Sequence, residues 1–307
     1  MRVSIVVDYV VYLLVRVVIC IVQAIPLRAA RHLARWLAWL FCNLLRVRAA
    51  VVDDNLRHAF PELSAEQRRA LALAMWEHLF LLVLEVAQAA RKIHHTNWRD
   101  YATLRNEEVL VRMLLVDRPV IMVTGHLGNF ELGGYMLGIL GFPTYTVART
   151  LDNPFLDRFV NRFRAATGQY IIPKKGGYDQ IVAVLASGRT MTFLADQYAG
   201  PKGCWVQFFG RPASAHKAIA LLSLENDAPI AVCAARRCGK AMQIELLVDA
   251  VADPRDCPAS ADPVKYLTQW YTTRLEELIR QTPEQYWWLH RRWKDTRRPQ
   301  VQRKQAA

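Results

Sequence analysis

The chain has 307 residues and carries 40 Lys and Arg against 27 Asp and Glu, so its formal net charge is +13. Hydrophobic residues make up 53% and charged residues 22%, a balance that excludes a disordered chain, a collagen-like chain and a polytopic membrane protein. The surplus positive charge indicates an acidic partner. Three kinds of partner are consistent with it: nucleic acid, an anionic membrane surface, and an acidic substrate or carrier. The six cysteines are scattered without a Cys-x-x-Cys pair, which predicts reduced thiols.

The first segment of the chain is long and apolar enough to bind a membrane. Residues 3–25 contain only two charged side chains, Asp8 and Arg16, and reach the roughly 20 residues that a membrane-spanning helix needs. An Arg at the centre of a span costs about 2.5–3.5 kcal/mol, so a helix lying in the membrane interface competes with a crossing helix. We therefore predict that residues 1–27 form an N-terminal membrane anchor of one kind or the other.

A second apolar stretch follows at residues 33–45, where Trp36 and Trp39 lie among flanking arginines. This composition suits a membrane interface, and it equally suits an amphipathic helix that packs on the body of the protein. If the first segment crosses the membrane, the excess of arginine after it places the body in the cytoplasm.

The rest of the chain is predicted to be helical at first and then to alternate between strands and helices. Residues 53–92 are predicted to be helical with a break at Pro61, after which Ser64 and Gln67 form a capping pattern. From Pro119 onwards, short apolar runs are separated by segments of helical length. Strands are predicted at residues 119–124, 144–147, 170–172, 190–194, 229–233 and 242–248, and helices at 129–140, 154–167, 177–187 and 262–281. This order predicts an α/β fold with a mainly parallel central sheet that is covered by helices on both faces.

The loop after the first of these strands carries the strongest chemical signal. In Gly125-His-Leu-Gly-Asn-Phe-Glu131, the glycines allow a sharp turn and Asn129 can cap the next helix. His126 then lies in the loop and Glu131 in the first helical turn, so the imidazole can fold back towards the carboxylate. A carboxylate that bonds one imidazole nitrogen leaves the other free to act as a base at neutral pH. We therefore expect a His126–Glu131 pair at the carboxyl edge of the sheet.

The segment from Gly125 to Glu131 resembles the His-x4-acid motif of the bacterial lipid A biosynthesis acyltransferases, the lauroyl and myristoyl transferases of the glycerolipid acyltransferase-like superfamily. Residues 55–63, 195–197, 206–210 and 285–294 resemble the same family in order and spacing. The resemblance implies that residues 28–307 form an acyltransferase domain at the cytoplasmic side of the inner membrane. It further implies that a fatty acyl chain moves from acyl carrier protein or acyl-coenzyme A to a hydroxyl of a glycolipid acceptor, without a cofactor or metal.

The chemistry of such a transfer assigns roles to these residues. His126 is expected to take the proton of the acceptor hydroxyl, and Glu131 to orient the ring and stabilise the imidazolium. Backbone N–H groups at the start of the 129–140 helix are candidate donors to the oxyanion. Because no serine or cysteine occupies a nucleophile elbow, direct attack by the acceptor is favoured over an acyl-enzyme.

Phosphate groups on the donor or acceptor call for cations near His126. Arg149 follows the strand at 144–147 and is expected at the same sheet edge. Arg164 matches an arginine of the family by position. Lys174 and Lys175 occupy another loop after a strand and are weaker candidates for phosphate contacts.

Two polar residues close the strand at residues 190–194. The resemblance makes Asp196 a site residue together with its neighbour Gln197. A buried Asp196 beside Arg164 is expected to hold that guanidinium in place.

Other functions remain open at this point. A non-catalytic, basic lipid-binding protein at the membrane surface explains the charge and the anchor, but not the His126–Glu131 pattern. An acyltransferase acting on a phosphatidylinositol mannoside or on a lysophospholipid fits the same residues. A metal-dependent hydrolase has only His126 in its favour, and the chain has no nucleic-acid-binding motif.

Overall fold

The computed structural model describes residues 2–116 and 118–294. The predicted acyltransferase domain of residues 28–307 therefore extends beyond them, since residues 295–307 lie outside the described part. The helices are α1 Arg2–Ala24, α2 Leu27–Trp39, α3 Ala49–Ala59, α4 Ala65–Lys92, α5 Glu107–Leu115, α6 Phe130–Ile139, α7 Pro154–Ala165, α8 Tyr178–Ala186, α9 Ala218–Glu225 and α10 Pro263–Gln281. The strands are β1 Ala102–Arg105, β2 Val120–Thr124, β3 Thr144–Ala148, β4 Gln169–Pro173, β5 Thr190–Leu194, β6 Cys204–Phe208, β7 Arg211–Ala215, β8 Ile230–Arg237 and β9 Ile244–Ala252.

The centre of the fold is a seven-stranded sheet in the order β1-β9-β8-β2-β5-β3-β4. Every pairing is parallel except that of β8 with β9, so the predicted mainly parallel sheet is confirmed. The central strand β2 is almost wholly buried because both of its faces are covered. Its carboxyl end lies beside that of β5, where Thr124 is in register with Leu194. This neighbourhood brings the loops after the two strands together.

Helices cover the two faces of the sheet separately. Met122 of β2 packs with Leu137 of α6 on one face, where α5 also contributes. Its neighbour Val123 belongs to the large core on the other face, which α8, α9 and α10 complete. The long helix α4 packs in the cores on both faces of the sheet, because its first half belongs to the large core and its last turns pack near α6. All six cysteines are free, in agreement with the prediction of reduced thiols.

Four parts of the architecture are absent from the sequence-based prediction. The edge strand β1 and the helix α5 precede β2, and both are short. The antiparallel hairpin of β6 and β7 and the helix α9 stand between β5 and β8. The predicted capping pattern of α4 is confirmed, since Ser64 and Gln67 exchange side-chain and backbone hydrogen bonds.

The apolar helix α1 packs against the body on one face and is exposed on the other. Near its start, Tyr9 packs edge-to-face and Tyr12 packs at a tilt against Phe155 of α7, and Asn153 donates a hydrogen bond of 2.8 Å to the carbonyl of Asp8. The opposite face presents a stripe of exposed large side chains, Val6, Val10, Leu13, Leu14, Val17 and Ile21.

Near its end, α1 lies against α4. Gln23 donates 2.8 Å to the carbonyl of Ala87, and Gln88 donates 3.0 Å to the carbonyl of Val22. Within the described residues, α1 and α4 are the helices long and apolar enough to cross a membrane. They differ in burial, since 6% of the apolar window of α1 and 39% of that of α4 are buried, so α4 is a core helix.

Candidate active site

His126 occupies a tight loop between the end of β2 and the start of α6. The loop passes so close to its neighbours that Gly128 is required and Gly125 has little space for a side chain. Gly128 adopts a left-handed conformation with φ of +63°, and a Cβ there would lie 2.0 Å from the carbonyl oxygen of Ala235. A Cβ on Gly125 would lie 3.3 Å from the side chain of Asp196. Asn129 caps α6 as predicted, because its side chain accepts a hydrogen bond from the backbone N–H of Leu132.

The carboxylate that bonds the imidazole is that of Asp196, at the end of β5. Nδ1 of His126 lies 2.9 Å from Oδ1 of Asp196, and the backbone N–H of His126 donates 3.0 Å to Oδ2. An ionised carboxylate only accepts hydrogen bonds, so Nδ1 carries the ring proton and Nε2 keeps its lone pair. The amide nitrogen of Gln197 is 3.5 Å from Nε2.

The two side chains shift each other's titration. Burial of the ring lowers the pKa of His126, but the charge and hydrogen bond of Asp196, helped by the charge of Glu131, outweigh burial and leave the pKa above its ordinary value. Asp196 is 5% exposed, and burial raises its pKa. The neighbouring His126 more than reverses that effect and brings the pKa of Asp196 to about 2. His126 and Asp196 therefore form a dyad, in which an ionised carboxylate accepts a hydrogen bond from an imidazole that takes up a proton more readily than an ordinary histidine.

The prediction that Glu131 bonds the imidazole of His126 is wrong. Glu131, in the first turn of α6, forms a bidentate ion pair with Arg164 of α7, whose Nε donates 3.0 Å to Oε2 and whose second nitrogen donates to Oε1. The helices α6 and α7 lie on the same face of the sheet, which turns Glu131 towards α7, while β5 delivers Asp196 to the ring. The expectation that Asp196 holds Arg164 is wrong for the same reason, because Glu131 takes that place.

The remaining predicted site residues lie at different distances from the dyad. Lys174, Arg149 and Gln197 all line the same cavity as His126. The guanidinium of Arg149 is largely exposed and pairs with Asp152 at 2.8 Å. Lys175 is exposed and is absent from the cavity wall, so the structure separates it from the other candidates.

A cavity of about 720 Å³ opens beside the dyad. One part runs between the sheet and the helices α5 and α6 and is lined by apolar side chains, among them Leu104, Val111, Met122, Leu137 and Val248. These residues belong to elements spread from β2 to the edge strand β1, which are three strand spacings, or about 14 Å, apart.

Another part of the cavity is more polar. It is lined by Thr146 and Thr192, which are in register on β3 and β5. Their buried hydroxyl groups have no hydrogen-bond partner among the described residues. The cavity that His126 lines therefore has an apolar region and a more polar region.

A buried ionic network supports the loop from behind, and no sequence pattern pointed to it. Glu85 of α4 is fully buried and accepts hydrogen bonds from Asn129 at 2.8 Å and from Arg237 at 2.6 and 2.8 Å. Arg237 also donates to Nδ1 of His78, so Nε2–H of His78 donates 3.1 Å to the carbonyl of Gly128. Burial, together with Arg237, lowers the pKa of His78 to about 3, which keeps it neutral. The network thus fixes two residues of the loop that carries His126.

A mainly parallel sheet with a His–Asp dyad at its carboxyl edge, beside a partly apolar cavity, is an arrangement suited to general-base catalysis on a substrate with an apolar part. Comparison with known proteins gives the family. The family model described as bacterial lipid A biosynthesis acyltransferase matches residues 2–295. The chain belongs to this family and is an acyltransferase of the lipid A biosynthesis type.

Individual relatives span most of the chain. A lipid A biosynthesis lauroyltransferase of Escherichia coli (strain K12) is 27% identical over 286 residues, which cover 90% of this chain and 89% of that protein. A lipid A biosynthesis palmitoleoyltransferase of the same organism is 26% identical, covering 81% and 80%. The crystal structure of the 1-acyl-sn-glycerophosphate acyltransferase PlsC from Thermotoga maritima superposes with a TM-score of 0.39 at 13% identity, covering 82% of this chain and 98% of that one.

Proposed function

We propose that the protein transfers a fatty acyl chain from an acyl thioester, carried by acyl carrier protein or coenzyme A, to a hydroxyl of a lipid A precursor. The observation that supports this most is the His126–Asp196 dyad, whose imidazole lines a cavity with a long apolar part. Two curated relatives are named for transferring lauroyl and palmitoleoyl groups in lipid A biosynthesis. The net charge of +13 suits an acidic donor or acceptor.

His126 acts as the general base. Its Nε2 keeps a lone pair because Nδ1–H is held by Asp196, and Nε2 lies 3.5 Å from the amide nitrogen of Gln197 on the cavity wall. It removes the proton from the acceptor hydroxyl as the oxygen attacks the thioester carbonyl. Asp196 stabilises the imidazolium until the tetrahedral intermediate collapses, when the C–S bond of the thioester breaks and the imidazolium gives its proton to the departing thiolate of the carrier. A base positioned in this way contributes about 10²- to 10⁴-fold to the rate.

The start of α6 stabilises the oxyanion. Phe130 and Glu131 line the cavity in the first helical turn, where backbone N–H groups point out of the helix along the positive end of its dipole. Direct transfer is favoured over an acyl-enzyme. The cysteine on the cavity wall, Cys233, is buried, and burial raises the pKa of its thiol to about 12, so it is a poor nucleophile.

The two parts of the cavity take different portions of the substrates. The acyl chain lies along the apolar part, where Met122, Leu137 and Val248 remove it from water at about 0.8 kcal/mol per methylene. The polar part, with the unpartnered hydroxyls of Thr146 and Thr192, accepts a hydrogen-bonding portion of the donor or acceptor.

Cations at the rim bind phosphate groups. Lys174 and Arg164 line the cavity near the dyad, and Arg149 lies further out in solvent. Glu131 holds two nitrogens of Arg164, which fixes the guanidinium plane and leaves other N–H groups for an anionic oxygen. Glu131 therefore contributes to substrate binding by orienting Arg164. Asp196 contributes to proton transfer by orienting His126.

Residues 1–27 attach the acyltransferase domain to the cytoplasmic face of the inner membrane. The helix α1 is held to α7 near Asp8 and to α4 near Gln23, about 22 Å apart along its axis. To cross the bilayer alone, the helix would have to give up these contacts with the body. Its exposed apolar stripe therefore favours a position in the interface, with the stripe towards the acyl chains.

The test is mass spectrometry of lipids from cells that lack the protein, complemented with the wild type or with His126→Ala. We expect the precursor to accumulate one acyl chain short of the wild-type product, and only the wild type to restore that chain. Purified protein is then offered acyl carrier protein and coenzyme A thioesters with a lipid A precursor, a lysophospholipid or a phosphatidylinositol mannoside. Transfer only to one of the latter two acceptors would replace the proposed substrate, and transfer to none would favour a lipid-binding protein.

A further inference from the structure

The carboxyl-terminal segment, by which we mean residues 285–288, runs directly beside the loop that carries His126. Its residue Tyr286 forms an antiparallel bridge with Leu127. The backbone N–H of Trp287 donates 3.0 Å to the carbonyl of His126, and the N–H of Gly128 donates 2.9 Å to the carbonyl of Gln285. The base is thus carried on a strand-like segment whose hydrogen-bonding partner comes from a part of the chain about 160 residues away.

The side chain of Trp287 packs on the imidazole itself. Its ring centroid lies 5.3 Å from that of His126 with an interplanar angle of 87°, and Phe130 makes a second edge contact at 5.1 Å and 73°. Such edge-to-face geometry is the preferred one for aromatic pairs. Trp287 is 37% exposed, whereas its neighbour Trp288 is 1% exposed. Trp288 is therefore a core residue, and the exposed Trp287 has the catalytic ring as its aromatic neighbour.

The backbone on either side of Trp287 is firmly held. The side chain of Gln285 exchanges two hydrogen bonds with the backbone of Arg237, of 2.8 and 2.9 Å. On the other side, the amide of Asn55 donates 2.7 Å to the carbonyl of Trp288. The indole of Trp287 is thus presented to His126 from a fixed frame.

We propose that Trp287 is a positioning residue for the catalytic base, an inference that rests on the proposed function of His126. The indole blocks rotation of the imidazole and keeps water from one of its faces. It thereby keeps Nδ1–H on Asp196 and Nε2 directed at the acceptor hydroxyl. Phenylalanine retains this contact in part, and alanine removes it.

The experiment compares Trp287→Ala and Trp287→Phe with a matched control, Trp205→Ala. Trp205 lies on β6, is 41% exposed and takes no part in the cavity wall. We expect Trp287→Ala to lower kcat of acyl transfer about 10- to 100-fold with KM little changed, Trp287→Phe to recover most of the loss, and Trp205→Ala to behave as the wild type.

The second measurement needs no substrate. Nitrogen chemical shifts of ¹⁵N-histidine-labelled protein report which ring nitrogen of His126 carries the proton. We expect the neutral ring to carry it almost wholly on Nδ1 in the wild type and in Trp205→Ala, and to become a mixture of tautomers in Trp287→Ala. An unchanged tautomer in Trp287→Ala, a wild-type kcat, or a raised KM at unchanged kcat would each overturn the inference. Failure of the wild type to transfer acyl groups would count against the proposed function alone, since the tautomer measurement is independent of it.

Discussion

Replacing Asp196 by asparagine removes one charge from the dyad and keeps its shape. The geometry dictates how the amide must sit. Oδ2 accepts a hydrogen bond of 3.0 Å from the backbone N–H of His126, so the amide oxygen must stay there and the NH₂ group must face Nδ1. Because NH₂ only donates, Nδ1 becomes an acceptor and the ring proton moves to Nε2. The lone pair on Nε2, which is the proposed base, is then lost.

The expected loss of rate is large. Reversal of the tautomer in a comparable dyad costs about 10⁴-fold in kcat, so we expect Asp196→Asn to lower kcat of acyl transfer by about 10³- to 10⁴-fold. The residual activity also titrates differently. In the wild type we expect the rate to rise with pH as His126 loses its proton, with a midpoint above the ordinary histidine value because the pKa of His126 is raised. Without the carboxylate, burial is left to lower the pKa of His126, so the midpoint moves to lower pH.

The assay is the initial rate of acyl transfer between pH 5.5 and 9 for the wild type, Asp196→Asn and Glu131→Gln. The last variant is the matched control, since it removes the charge of the other carboxylate near His126 without touching the hydrogen bond to the ring. A rate for Asp196→Asn within tenfold of the wild type would refute the reasoning. A loss in Glu131→Gln that equals or exceeds the loss in Asp196→Asn would do the same and restore Glu131 as the partner of the base.

Further predictions concern other parts of the molecule. Glu131→Gln should lower kcat/KM about 10- to 100-fold, mainly by raising KM for the phosphorylated substrate, as measured by steady-state kinetics; an unchanged KM would contradict its role in binding. Glu85→Gln should destabilise the fold by about 3–5 kcal/mol in chemical denaturation, because it leaves Arg237 buried without its counter-charge, and a loss under 1 kcal/mol would disprove this. Leu137→Trp should shift the preferred acyl chain to shorter lengths in competition among donors, and an unchanged length profile would place the chain elsewhere. Removal of residues 1–27 should release at least part of the protein from the membrane fraction, whereas a fully soluble full-length protein would contradict the anchor.

The sequence carries enough local information to predict the strands and the loop of the site. β2 is a run of apolar residues followed at once by Gly125 and His126, and short-range patterns of this kind depend only on neighbouring residues. The cap of α6 by Asn129 follows from the same local chemistry. The carboxyl edge of a parallel sheet is where such loops gather, so a site at that edge could be anticipated.

The partner of His126 could not be deduced in this way. Asp196 is 70 residues from His126 in the chain, and it reaches the ring because β5 inserts between β2 and β3 in the sheet. A His-x4-Glu spacing suggests a local pair, but the packing of α6 beside α7 turns Glu131 to Arg164. Strand order is a property of the whole fold, and no local pattern encodes it.

The residues that hold the His126 loop in place could not be predicted for a similar reason. Glu85 and Arg237 are 152 residues apart, and each belongs to an element whose pattern shows an ordinary charged residue. Trp287 comes from the last part of the chain that the structure describes. Their roles depend on tertiary contacts that join α4, β8 and the carboxyl-terminal segment around one loop.

The most direct measurement is the acyl-transfer rate of purified His126→Ala against that of the wild type, with a lipid A precursor and its preferred acyl thioester, for two proteins with the same denaturation midpoint. A catalytic imidazole predicts a rate at least about 10²-fold lower in the variant. Turnover equal to the wild type would show that another group takes the proton from the acceptor hydroxyl.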